Sequence, residues 1–120
     1  MRRITLQVAK GEAVFEKFRR YRRYSISAQA VIRRMDAGSP EGLTTQINNI
    51  SQGGMGVYTS VCIEKATPVS VELLFHAPQG VKKDTLEGRI ASVCSQGSDY
   101  FVGIAFDREI SYDRFVEIIG

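Results

Sequence analysis

Two stretches of this 120-residue chain carry side chains suited to holding an anion or a flat polar ring. The first is Lys17-Phe18-Arg19-Arg20-Tyr21-Arg22-Arg23, with five cations and two aromatic rings in seven positions. A guanidinium is a planar fork of donors that fits phosphate oxygens two at a time. It also reaches the O6 and N7 edge of guanine, and its flat face stacks on a base. Arg19 and Arg23, four apart, have the spacing of a hinged clamp. By itself the run also fits a solvated basic turn, or a patch for RNA or DNA with Tyr21 and Tyr24 among the charges. The second stretch is Asn49-Ile50-Ser51-Gln52-Gly53-Gly54-Met55-Gly56. An Asn amide offers donors and an acceptor, and a Ser hydroxyl adds one of either. Glycines keep Cβ atoms away, so a flat ring can approach the backbone. The alternative is an Asx-type turn in which the glycines serve geometry alone.

Other chemistry has little to build on. His76 is the lone histidine, and the carboxylates are scattered without a nearby base. The two cysteines, Cys62 and Cys94, have no paired spacing and are expected to be free and buried. Two cysteines and one histidine do not make a metal quartet, and no phosphate-loop GxxxxGK run is present. Neither an enzyme, a metal site nor a cofactor is expected. Net charge is only +3, and the positive residues cluster at Arg2, Arg3, 17–23, Arg33 and Arg34. That asymmetry points to an anionic partner on one side, and the modest total counts against DNA or RNA. No apolar run approaches the roughly 20 residues of a membrane helix. Met1 to Lys10 lacks the apolar region of a signal peptide. The expectation is a soluble, cytoplasmic protein.

The elements that must position these residues are mostly strands. Tyr24, Ile26, Ala28, Ala30 and Ile32 alternate with Ser25, Ser27 and Gln29, the period of a half-buried strand. Leu43, Thr45 and Ile47 restart the alternation and lead into Asn49. Met55 to Ser60, Val69 to Phe75, Thr85 to Cys94 and Tyr100 to Phe106 are further strands, with turns at Pro78–Gly80 and Ser95–Asp99. Gly88 marks a bulge or a close-packing point. Ser111 is placed to cap a final helix, with Asp113 in its first turn and Tyr112, Phe115, Val116 and Ile119 as its docking face. About six short strands with turn signals between them read as an antiparallel barrel or sandwich. Before them, 4–9 alternate like a strand, and Val14, Phe15 and Phe18 share a helical side.

Taken together, Arg-x-x-x-Arg at 19 and 23 and Asn-x-Ser-x-x-Gly at 49, 51 and 54 resemble the two-part signature of the PilZ domain. The likeness continues through "NISQGGMGVYT" and the closing "YFVGIAFD" with its short helix, covering about Phe18 to Ile119. It implies a mainly all-β fold, a six-stranded antiparallel PilZ-type barrel with a short C-terminal helix over 18–120, preceded by an arm or short element at 1–17. It implies a bacterial receptor for the second messenger cyclic di-GMP, with Arg19 and Arg23 on phosphates and guanines. Asn49 and Ser51 would hydrogen-bond a guanine that Gly54 lets approach. The residue before the first motif arginine influences ligand number in this family, and Phe18 there favours one ligand. Arg20, Arg22 and Gly53 are further candidate contacts. The implied role is a ligand-gated adaptor, monomeric or dimeric, acting on an unidentified protein partner in motility or biofilm-type processes. A barrel that binds partners without ligand is the alternative.

Overall fold

The computed structural model describes residues 22–36 and 41–120. The expected arm at 1–17 and the roles placed on Phe18, Arg19 and Arg20 lie outside the described residues.

Six strands follow in order: β1 (Gln29–Arg34), β2 (Leu43–Ile50), β3 (Gly54–Thr59), β4 (Pro68–Ala77), β5 (Gly80–Gln96) and β6 (Asp99–Phe106). One helix, α1 (Tyr112–Ile119), closes the chain. The strands form a closed barrel in the order β1-β2-β3-β6-β5-β4, each neighbour antiparallel and β1 sealing against β4. Strand periodicity dictates what fills it. Ala30 and Ile32, then Val69, Val71, Leu73 and Phe75, and then Val102 and Ile104 are all buried at every second position. Burying one such aliphatic side chain contributes about 1.5–3 kcal/mol, so the alternating residues hold the ring closed.

Tyr24 to Ile32 keeps the expected alternation, but the ladder begins only at Gln29. Tyr24 instead exchanges backbone hydrogen bonds of 2.8 and 2.9 Å with Ile50 as an isolated bridge. Strand β5 runs from Gly80 to Gln96, well beyond the expected Thr85–Cys94, because its first half pairs with β4 and its second half with β6.

The pairing register slips in two places, between Ile47 and Asn49 on β2 and between Ile90 and Ser92 on β5. Each slip is a β-bulge, an extra residue that bends the strand and re-aims its side chains. On β2 it lets both Ile47 and Ile50 face the core although they are three apart, and Asn49 turns outward. Gly88 is a close-packing point and not the bulge: a Cβ there would run into the carbonyl oxygen of Ala105 on β6.

Ser111 caps α1 as expected, its Oγ accepting from the Arg114 amide. The docking face needs correction. Phe115 and Ile118 are buried, while Tyr112 and Val116 are exposed. Arg114 pairs with Asp84 and Lys82 with Glu117, tying the helix to β5 along one flank. The docked side of the helix is therefore Phe115 and Ile118, with Ile119 packed partly against the core. Cys62 and Cys94 are free, as expected, but both are exposed and neither is a core thiol. Cys94 lies past the second bulge, where β5 projects with its neighbours into the β5–β6 hairpin.

Candidate functional site

The β2 bulge aims Asn49 at the first basic stretch. Arg23 Nη1 donates to Asn49 Oδ1 at 2.6 Å, joining residues 26 apart in sequence. The contact also fixes the orientation of the amide. A guanidinium has donors only, so the oxygen must face Arg23 and the Nδ2 group turns the other way. Next to Arg23, the Arg22 guanidinium lies 5.5 Å from the centre of the Tyr24 ring. That ring meets Phe115 of α1 edge-on at 5.6 Å. The end of the basic stretch is therefore joined to the barrel through Asn49 and to the helix through Tyr24.

The other two residues of the second signature sit differently. Ser51 is 1% exposed. Its hydroxyl accepts from the Gly53 and Gly54 amides, each at 3.2 Å, and donates to the Gly54 carbonyl at 3.3 Å. The resemblance implies a hydrogen bond from Ser51 to guanine, whereas here every contact of the hydroxyl shapes the turn from β2 to β3. Gly54 is buried, and a Cβ there would strike the carbonyl oxygen of Ile104 on β6. Its place in the motif is explained by strand packing before any ligand is considered. Gly53 accepts at its carbonyl from the Phe106 amide, and Gln52 grips Ile110 twice, accepting from its amide and donating Nε2 to its carbonyl. The turn is thereby stitched to the end of β6 and to the segment entering α1.

Asn49 stands opposite Gly56 on β3, which stands opposite Gly103 on β6 and then Ser92 on β5. Phe101, two pairs along β6, leans over Gly56 and rests at 5.0 Å against the Tyr58 ring. Arg23, the turn and this outward row are thus joined through Asn49. Sequence reasoning named Arg22, Arg23, Asn49, Ser51, Gly53 and Gly54, set Tyr24 beside the charges and Gln52 in the turn without a role for either, and missed Phe101. The bulge had a signal: Ile47 and Ile50 break the every-second spacing of core residues.

Elsewhere the chemistry is ordinary. Arg34 hydrogen-bonds Asp36 and holds its carboxyl below the usual carboxylate range, at the far end of β1 from Asn49. His76 is exposed. Among the described residues no cluster of His, Cys, Asp and Glu is placed to hold a metal. Nor is any helix there long and apolar enough to cross a membrane.

Comparison with known proteins agrees with this geometry. No curated protein matches the chain. Among solved structures it is similar to the Bacillus subtilis inhibitor of motility, MotI (DgrA), with a TM-score of 0.66 and 12% identity. The match covers 82% of this chain and 46% of that one, so the chain spans about half of that protein's length. It is also similar to the PilZ domain of YcgR from Escherichia coli, whose structure contains c-di-GMP, with a TM-score of 0.63 and 16% identity. That match covers 83% of this chain and 87% of the other. At such identities the likeness is one of fold. The PilZ domain profile matches residues 17–118, and the barrel brings that family's two signature stretches into contact at Arg23 and Asn49, so the chain belongs to the PilZ domain family.

Proposed function

We propose that this chain is a cytoplasmic receptor for cyclic di-GMP that acts as a ligand-gated adaptor on a protein partner. The observation that carries the reading is the 2.6 Å contact from Arg23 to Asn49, which joins one residue from each half of the signature. Arg19 and Arg23 hold the phosphates and guanines of the ligand, and Asn49 hydrogen-bonds a guanine. Ser51 and Gly54 hold the turn that presents Asn49. Arg20, Arg22 and Gly53 border this site, and Phe18 favours one ligand per chain. The YcgR PilZ domain, similar in fold, was solved with c-di-GMP.

Gating follows from the neighbours of the site. A ligand that engages Arg23 and Asn49 together shifts the pair as a unit and pulls on the adjoining Arg22 and Tyr24. Tyr24 touches Phe115, so the change is felt at α1. Calorimetric titration with cyclic di-GMP tests the reading, with micromolar or tighter binding of one ligand expected. Arg19→Ala and Arg23→Ala should each abolish it by removing charge-assisted contacts. Arg33→Ala, which removes a partner of Glu72 at the end of β1 far from Asn49, should not. No heat at about 100-fold higher concentration, roughly 2.7 kcal/mol weaker, would overturn the proposal.

A further inference from the structure

We infer that Phe101 is the stacking partner of a purine ring of the bound nucleotide, an inference that rests on the cyclic di-GMP reading above. A Cβ built on Gly56 would lie 2.7 Å from Phe101 Cζ and 3.2 Å from Asn49 Nδ2. The tip of the ring and the amide nitrogen thus converge on one point above a residue with no side chain. Asn49 Oδ1 is turned to Arg23, so the groups that Asn49 directs at this point are N–H donors. An aromatic ring beside a pair of donors fits a flat heterocycle with acceptors along its edge. The O6 and N7 edge of guanine has two.

The setting of Phe101 also suits stacking. It is half-buried on the outer face of β6, with Tyr58 braced against it at 5.0 Å and an interplanar angle of 55°. Its neighbours across the ladder, Tyr58 and Cys94, are both exposed. A ring that served the core would point the other way, as Val102 and Ile104 do. Phe101 is anchored along one side by Tyr58 and ends over Gly56, so a modest side-chain rotation offers its face to a ring entering beside Asn49. Gly56 is what permits both positions, because any side chain there would block the ring tip.

Three variants test this. Phe101→Ala should weaken cyclic di-GMP binding about tenfold, within the range for loss of one aromatic–base stack. Phe101→Leu keeps apolar bulk without the π face and should weaken it at least threefold. The chain has no tryptophan, so Phe101→Trp supplies a single reporter. It should bind about as wild type does, with its fluorescence quenched in proportion to occupancy. Wild-type affinity in both Phe101→Ala and Phe101→Leu would overturn the inference, as would unchanged fluorescence of Phe101→Trp at saturation. The tryptophan variant decides the matter even if Phe101→Ala fails to fold. Failure of the wild-type protein itself to bind would instead overturn the parent reading.

Discussion

The two sides of the barrel are built on different plans. On the β1–β4–β5 side the ladders are unbroken: β4 and β5 pair through ten consecutive residues and β1 and β4 through six. On the β2–β3–β6–β5 side two strands carry bulges at one level of the sheet, with Gly56 and Gly103 between them. The first plan maximises regular pairing and an alternating core. The second gives up part of the ladder to turn Asn49 outward and keep the surface beside it bare. Regularity supports the fold, and the controlled departures from it are where a side chain can be aimed at something outside.

That contrast can be broken deliberately. The largest effect is expected at Leu73, fully buried on the regular side. Leu73→Ala should cost about 2–5 kcal/mol in denaturant unfolding, from lost burial and the cavity left behind. Chain that remains folded should still bind ligand at wild-type stoichiometry. Next is Gly54→Ala on the irregular side. Its methyl meets the backbone of Ile104, which cannot step aside cheaply, so a loss of about 1–3 kcal/mol is expected. Here ligand affinity should fall with stability, because β3 and the turn that presents Asn49 move together.

Deleting Asn48 sharpens the comparison further. It removes the extra residue of the bulge while leaving Asn49 outward and Ile50 inward, so the β2–β3 ladder becomes regular. Melting should change little, and cyclic di-GMP affinity should drop about tenfold, since the bend that aims Asn49 is gone. Equal affinity would show that the bulge does not aim the residue. The smallest effect concerns Ala66, which sits at φ 75 in the connection before β4. Ala66→Gly should raise stability by about 0.5–1 kcal/mol in thermal unfolding, by relieving left-handed backbone strain, and leave binding untouched.

Much of the regular side could be read in the sequence. Val69, Val71, Leu73 and Phe75 alternate cleanly, and a strand buried on one face has a period of two whatever its partners are. The cap at Ser111 was legible for a similar reason, because capping is settled within one turn. The rotation of α1 was not. Which residues dock is set by the core that Phe115 and Ile118 meet, and the partners Asp84 and Lys82 lie some 30 residues away in sequence, which no pattern within the helix encodes. The site was half legible. Arg19, Arg23, Asn49, Ser51 and Gly54 stood out by spacing and family likeness. That Ser51 and Gly54 serve the turn, while Asn49 faces outward, depends on which backbone groups surround each. Phe101 gave no signal, since a phenylalanine in a strand looks the same whether it faces core or ligand.

The closed ring has one more consequence. Every strand is paired on both sides, β1 sealing to β4. Strand β5 changes partners along its length, however: Gly80–Glu87 is laddered to β4 alone and Ser92–Gln96 to β6 alone, and only such stretches leave the row of amides and carbonyls by which an extended peptide adds itself to a sheet. A protein docking where the strands are laddered on both sides, as around Asn49 and Gly56, must be recognised by side chains and their shape. Single surface substitutions should then be enough to separate one interaction partner from another.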